Sequence, residues 1–98
     1  MNTFSLPKTQ HLVVFQEVIR SGSIGAGAKA LGLTQPAVSK IIGDMESYFG
    51  NELIVRRNTG VSLTEAGQVF LNWSEAITRE MKNMVNEMNA LTNSTVVD

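Results

Sequence analysis

The 98-residue sequence contains no cysteine and only one histidine, His11. The lack of cysteine excludes a disulfide framework, thiol catalysis and thiolate metal sites, and a single histidine leaves little for metal binding. Long apolar runs are also missing, since the longest, residues 12–15, is far below the ~18 residues of a membrane span. No basic stretch followed by an apolar one opens the chain, so we predict no signal peptide and expect a cytoplasmic protein.

The short length restricts what the chain can do chemically. A chain of this size folds as one small domain with a modest core, too small for most enzymes that bury both a substrate and a cofactor. The sequence also offers no pairing of a nucleophile with a base, no metal-ligand cluster and no phosphate-binding loop. We therefore expect neither enzymatic activity nor a cofactor.

The formal net charge is only −1, but the charges are unevenly distributed along the chain. Between residues 8 and 43, four basic residues stand against one acidic residue, a local charge of +3. Between residues 58 and 98, two basic residues stand against five acidic ones, a local charge of −3. A basic first part and an acidic last part suit a molecule that docks one end on phosphates and uses the other end differently.

Apolar residues at helical spacing predict three short helices in the first half of the chain. The first covers residues 8–21, and the second and third follow residues that commonly cap helices. Each helix ends at a glycine, which tolerates left-handed backbone geometry. The predicted start and stop residues, in chain order, are Pro7, Gly22, Ser23, Gly32, Thr34 and Gly50.

A hairpin and a long helix are predicted to follow. Residues 53–56 and 61–63 read as two short strands around the turn residues 57–60. Thr64 then caps a helix whose apolar residues recur every three or four positions, close to a heptad seam. Such a seam, longer than the domain is wide, needs a partner. We expect dimer contacts from Phe70, Trp73, Ile77, Met81, Met84 and Met88.

Residues 23–49 meet the steric demands of a helix-turn-helix. Ala28 is small where two helices must approach, Gly32 permits the turn, and Val38 packs back from the third helix. The third predicted helix of the chain is the second helix of this unit. It has a polar face that does not contribute to the core, which makes it the candidate reading helix.

The outward side of that third helix carries groups that suit base edges and phosphates in a major groove. A solvated polar face is the better interpretation for an arbitrary helix, but the small-residue spacing, turn, cap and following hairpin together favour nucleic-acid reading. The side chains in question are Gln35, Ser39 and Gly43, flanked by Pro36 and Lys40.

The predicted hairpin adds two arginines, Arg56 and Arg57. Arginine suits both phosphate clamping and narrow minor grooves. The alternative is that one of them pairs with Glu46 or Glu52. We expect one arginine to contact DNA and the other to be structural.

These residues resemble the N-terminal DNA-binding domain of LysR-type transcriptional regulators, and the resemblance covers nearly the whole chain. It rests on Phe15, Gly22-Ser23-Ile24, Ala28, residues 33–39, Tyr48-Phe49-Gly50, residues 53–56 and residues 63–67. The resemblance implies a mainly α fold: a winged helix-turn-helix, with a three-helix core and a β-hairpin wing, followed by a long dimerisation helix.

The resemblance also implies a function. Residues 1–63 would form the DNA-binding domain and 64–92 the dimerisation helix, while 93–98 would begin a hinge to an absent effector-binding domain. The implied partners are double-stranded DNA and a second copy of the chain, and a tetramer stays open for the full-length protein. The implied major-groove and backbone contacts are Thr34, Gln35, Pro36, Ser39 and Lys40, and Arg56 or Arg57 would enter the minor groove.

The sequence departs from the family pattern in three places, one of them a pair of residues. Gly25 and Ala26 stand where a polar pair is common, which weakens the expectation of a backbone contact from the second helix. Ile54 replaces the usual phenylalanine, a change in packing, and Gly43 shortens the reading face. Two other functions remain open at this point, an association module without DNA binding, since the same scaffold also serves association alone, and an enzyme fragment.

Overall fold

The computed structural model describes residues 6–96. Its elements are, in chain order, α1 (Thr9–Ser21), α2 (Ile24–Leu31), α3 (Gln35–Phe49), β1 (Ile54–Arg57), β2 (Gly60–Leu63) and α4 (Glu65–Val96). Three helices and an antiparallel hairpin surround one core, and α4 projects from it, so the molecule measures 57 × 32 × 21 Å. The predicted mainly α, winged helix-turn-helix architecture is confirmed.

Local sequence explains where the second and third helices begin. The Ser23 hydroxyl accepts the Ala26 backbone N–H at 3.0 Å, and the Thr34 hydroxyl accepts the Ala37 N–H at 3.2 Å, as the caps predict. The first three helices end, as expected, at glycines with positive φ, namely Gly22, Gly32 and Gly50.

The beginning of α1 differs from the prediction. Lys8 is the residue before the helix, and its backbone N–H donates to His11 Nδ1 at 2.9 Å. Pro7 therefore precedes the helix instead of lying in its first turn. The His11 imidazole therefore helps to cap the start of α1, a role that was predicted for no side chain.

The core consists of apolar side chains from α1, α2, α3 and β1. Phe15 is completely buried at its centre and meets Phe70 of α4 edge-on, with ring centroids 4.9 Å apart. The buried cluster comprises Val14, Phe15, Val18, Ile24, Ala28, Val38, Ile42, Met45, Leu53 and Ile54. Since α3 contributes three of these residues from one side, its opposite side faces solvent.

At Gly27 the backbone of α2 lies close against α1. A Cβ atom at this position would lie 2.9 Å from the Cα of Val18, closer than carbon atoms pack. Ala28, which the sequence indicated for this approach, is buried in the neighbouring core. The angle between the two helices is therefore set by contact of backbone with backbone.

The hairpin is attached to the helices through its backbone. Val61 N–H donates to the Gly22 carbonyl at 2.9 Å, which ties β2 to the turn between α1 and α2. Gly60 lies so close to the same carbonyl that any side chain would collide with it. The wing is thus held at a defined position beside the start of α2.

Thr64 joins the strands to the long helix. Its hydroxyl donates to the Glu52 carbonyl at 2.6 Å and accepts the Gly67 N–H at 2.9 Å. Its backbone N–H donates to the Leu53 carbonyl at 3.1 Å. A side chain at Gly67 would overlap that carbonyl, so the first turn of α4 crosses directly over the strand.

Only the first half of α4 packs on the domain. Every residue from 79 to 93 is exposed, and the helix continues to Val96, past the end predicted at residue 92. Residues 93–96 of the predicted hinge are therefore helical, and residues 97 and 98 lie outside the described residues. Between residues 6 and 96, none of the helices combines the length and apolar content that crossing a bilayer requires.

Candidate nucleic-acid interface

The residues predicted to read DNA from α3 lie at its start and on its outward side. Thr34, Gln35, Pro36 and Lys40 are exposed, and Ser39 is half-buried. A Cβ atom at Gly43 would lie more than 4 Å from the atoms of other elements. The outward side of α3 is therefore open to a partner along more than two turns.

The two wing arginines point in different directions. Side chains alternate along a strand, so Arg56 shares the side of the buried Ile54 and faces α3, whereas Arg57 faces away. The Arg56 guanidinium donates through Nη1 to the Ser39 hydroxyl at 3.4 Å. The hydrogen bond joins the wing to the predicted reading helix.

A groove of about 510 Å³ separates the start of α2 and the start of α3 from the wing. Three predicted site residues line it, Gln35, Arg56 and Arg57, together with residues that the sequence analysis did not assign to the site. The complete lining is Ser23, Ile24, Gly25, Gln35, Arg56, Arg57, Asn58, Thr59, Gly60 and Val61. The signals for the missed residues were the cap of α2 and the turn of the hairpin.

Two of the basic residues in the first part of the chain are paired with carboxylates. Lys40 Nζ lies 3.0 Å from Asp44 Oδ2, one helical turn away, and Arg20 pairs with Glu17. Hydrogen bonds from Ser21 and Arg20 lower the pKa of Glu17. Asp44 lies just beyond the segment that the sequence predicts to be basic, so the reading face is less positive than predicted.

The Glu46 side chain binds backbone N–H groups at the start of the wing strand. Its carboxylate oxygen Oε2 accepts the Leu53 N–H at 2.8 Å and the Ile54 N–H at 3.3 Å. Among residues 6–96, the ion pairs do not include Arg56 or Arg57, so the alternative pairing of an arginine with Glu46 or Glu52 is not formed. The carboxylate instead fixes the distance between α3 and β1.

The outer stripe of α4 is largely exposed. Trp73 is 66% exposed and Met88 59%, and Ile77, Met81, Met84 and Leu91 also face solvent. Phe70 differs, because its ring packs against Phe15 and lies 5.4 Å from the Phe49 ring. Val69 and Val85 extend the exposed stripe and were missed by the predicted seam.

An apolar hollow of about 450 Å³ lies where the stripe meets the domain. It opens beside the exposed ring of Trp73. Its lining is Phe49, Asn51, Leu53, Ala66, Val69, Phe70, Trp73 and Ile77. The hollow and the stripe form one continuous apolar surface.

The surface around α3 and the wing offers hydrogen-bonding groups and positive charge. It presents an amide at Gln35, hydroxyls at Thr34 and Ser39, and guanidinium groups on the wing. In the part of the chain that the structure describes, no group of three or more acidic or histidine side chains could hold a metal ion. The fold and this surface define a winged helix-turn-helix protein.

Comparison with known proteins identifies the family. Residues 9–68 match the family described as bacterial regulatory helix-turn-helix protein, lysR family. The chain belongs to the LysR family, which confirms the resemblance in the sequence. It is 71% identical over all 98 residues to the HTH-type transcriptional regulator TdcA of Escherichia coli K12, and it spans 31% of the length of that relative.

Solved structures of LysR-type proteins share this fold. A complex of the CbnR DNA-binding domain with DNA superposes with a TM-score of 0.80 at 27% identity, covering 87% of this chain and 98% of that one. A complex of the BenM DNA-binding domain with catB site 1 DNA gives a TM-score of 0.82 at 25% identity, covering 87% and 96%.

Replacement of Glu46 with alanine is predicted to destabilise the domain and loosen the wing. The change leaves the Leu53 and Ile54 N–H groups without their charged acceptor, so we expect a loss of about 1 to 3 kcal/mol in the free energy of unfolding. Urea unfolding measures it. Glu52→Ala is the matched control, because Glu52 is exposed and contributes its backbone carbonyl to the hydrogen bond with Thr64. Equal stability of the two variants would contradict this role.

Proposed function

We propose that the chain binds double-stranded DNA sequence-specifically as the DNA-binding part of a LysR-family transcription regulator. The observation that supports this most is the outward side of α3, which is open to solvent and bordered by the two wing arginines across one groove. Such a helix fits a major groove about 12 Å wide, where amide and hydroxyl groups distinguish base pairs. The structural relatives include DNA complexes of the CbnR and BenM DNA-binding domains.

The groove between α3 and the wing suits a phosphate strand. With α3 in the major groove and the wing in the adjacent minor groove, the DNA backbone between them passes over the start of α2. There the backbone N–H groups around Gly25 and the guanidinium groups of Arg56 and Arg57 are the available donors. Gly25, at which the family pattern suggested a lost contact, carries no side chain here, and the Gln35 amide lies beside it: a Cβ atom at Gly25 would be 3.7 Å from Gln35 Oε1.

The two arginines divide their roles in this proposal. Arg57 faces away from α3 and enters the minor groove or clamps a phosphate. Arg56 is held by Ser39 and lies between reading helix and wing. One arginine was predicted to contact DNA and the other to be structural. In the proposal, Arg56 has the structural role in the free protein.

The remainder of the regulator lies outside this chain. Because the chain spans 31% of the length of TdcA, any effector binding belongs to the other part of the full-length protein. Residues 8–24 and 78–87 resemble the activator of the anaerobic threonine and serine degradation operon, and we propose the same class of target for this protein. A DNA-binding regulator acts in the cytoplasm, where bacterial DNA lies.

Titration of labelled duplex at several salt concentrations tests DNA binding, with target duplexes first selected from a random pool. If about three basic side chains per subunit meet phosphates, a dimer gives a log–log slope of affinity against salt near −5. Selection also reveals half-site symmetry and spacing. Absence of binding at every salt concentration would contradict the proposal and favour an association module.

Replacement of Gln35 with alanine is predicted to reduce discrimination between target and random DNA. A lost bidentate contact to a base lowers the difference in binding free energy by about 1 to 3 kcal/mol, while binding to random DNA changes little. Competition binding measures the difference. Gln10→Ala is the matched control, since Gln10 is exposed on α1 and does not line the groove. An equal loss on both DNAs would exclude base reading by Gln35.

The exposed stripe of α4 supports pairing with a second copy of the chain. Helical segments of about 12 to 15 residues are marginal in water without tertiary packing, yet residues 79–93 contact nothing in their own subunit that buries them. An apolar partner surface explains both the stripe and the hollow at its base. We infer a dimer formed through α4.

The order of the apolar residues points to an antiparallel pair of helices. Phe70 and Leu91, Trp73 and Met88, and Ile77 and Met84 are three pairs with one common midpoint, between residues 80 and 81. In an antiparallel dimer centred there, each residue faces the other member of its pair. Leu91 and Met88 of one copy then cover the hollow beside Phe70 and Trp73 of the other.

Two double variants test this register. In the variant Ile77→Lys with Met84→Glu, the lysine of one copy faces the glutamate of the other, and the opposite charges attract. This variant is therefore expected to associate more strongly than Ile77→Lys with Met84→Lys, in which two lysines face each other and repel. Sedimentation equilibrium measures the dimer dissociation constant of each variant. The two variants differ at position 84 alone, where the charges have opposite signs. Dimers of the doubly basic variant would exclude the seam, and equal weakness of both variants would exclude the antiparallel register.

A further inference from the structure

A polar cluster joins α1 to α4. The Gln16 side-chain amide nitrogen donates to the Ser74 hydroxyl at 3.2 Å and lies 3.3 Å from the Thr78 hydroxyl. Ser74 is 1% exposed, the buried polar side chain of the described residues, and its hydroxyl donates to the Leu71 carbonyl at 2.9 Å. The Thr78 hydroxyl likewise donates to the Glu75 carbonyl at 3.3 Å, so both hydroxyls have a carbonyl acceptor and are free to accept from Gln16.

The hydrogen bonds of this cluster constrain the orientation of α4, which apolar packing alone does less strictly. The other contacts between α1 and α4 are apolar packing and a hydrogen bond from the Thr9 hydroxyl to the Met81 sulfur at 3.9 Å; thioether sulfur is a weak acceptor, and apolar packing is not directional. The Gln16 amide reaches two hydroxyls one helical turn apart, which defines both the rotation of α4 about its axis and its tilt against α1. Buried polar groups are known to select one register among several that are nearly equal in energy.

The direction of α4 has a large effect at its far end. From Thr78 to Leu91 the helix extends about 20 Å. A change of about 10° in its tilt moves that end by about 3.5 Å, close to the rise of one base pair. Because the partner is bound along this segment, the direction of α4 determines how far apart two copies of α3 lie.

We propose that Gln16 is a positioning residue that sets the spacing between the two half-sites that the dimer accepts. The inference rests on the proposed function, namely DNA binding by a dimer formed through α4. Gln16 touches no DNA in this arrangement. It acts through Ser74 and Thr78, which hold α4 at one angle to the reading head.

The test compares Gln16→Leu with Gln68→Leu in the 98-residue chain. Gln16→Leu removes both hydrogen bonds to α4 and keeps a side chain of similar size. Gln68→Leu, the matched control, removes a hydrogen bond to Asn72 that lies within α4 alone. The probes are duplexes with two selected half-sites separated by spacers that differ by single base pairs, and one duplex with a single half-site.

The unaltered chain and the control are expected to favour one spacer sharply. In Gln16→Leu the preference for that spacer over its neighbours should fall about threefold to tenfold, the equilibrium value of one hydrogen bond, while affinity for the single half-site is unchanged. Ser74→Ala with Thr78→Ala, which removes the acceptors instead, should give the same result and serves if Gln16→Leu does not fold.

Four results would overturn the inference. An unchanged spacer preference in both the Gln16 and the Ser74 variants rejects the positioning role and leaves DNA binding intact. A parallel loss of single half-site affinity marks a general structural defect. Equal broadening in Gln68→Leu removes the link to the α1 contact. Absence of DNA binding by the unaltered chain contradicts both the inference and the proposed function.

Discussion

Burial of one side of α3 is the constraint on which the candidate interface depends. Val38, Ile42 and Met45 occupy the same cluster as Phe15, and none of them is more than 2% exposed. Because a helix repeats every 3.6 residues, locking that side into the core turns the polar side outward along its whole length. The hydrophobic core itself therefore supports α3, the proposed reading helix, and leaves its outward side exposed.

Hydrogen bonds to backbone groups extend this rigidity from α3 to the wing. Glu46 holds β1 by two N–H groups, and the Gly22 carbonyl holds β2 through Val61. Arg56 adds a side-chain bond to Ser39. A surface assembled in advance loses less conformational entropy on binding, so more of its contact energy appears as affinity.

Features set by local chemistry could be predicted from the sequence, and features set by packing could not. The caps at Ser23 and Thr34 and the terminating glycines depend on a few neighbouring residues, and all lie where predicted. The pairing of Lys40 with Asp44 follows from helical spacing and was available as a signal. The close contact between helices at Gly27 depends on the path of a separate helix, which no local pattern reveals.

Phe70 illustrates a further limit of periodicity. It fits the seam of α4 by spacing, yet its ring packs on Phe15 in the same subunit. In a helix that extends beyond its domain, the first part of an apolar stripe packs on the domain core and the later part is available to a partner. The spacing of the apolar residues does not show where the first part ends. The groove lining at Ser23 and Asn58 was missed for a related reason, since a concave surface belongs to several elements at once.

In the proposed dimer, the exposed half of α4 couples folding, dimerisation and DNA binding. Residues 79–93 are exposed, and their contact with α1 through Thr9 and Met81 offsets little of the entropy of an ordered helix, so in the proposed dimer this segment gains its stability from the partner. Once it forms, binding of one reading head places the other near its half-site, and the second contact becomes intramolecular. A weakened seam therefore lowers affinity for a two-part site even when every residue of the reading surface is intact, whereas affinity for one half-site is unaffected.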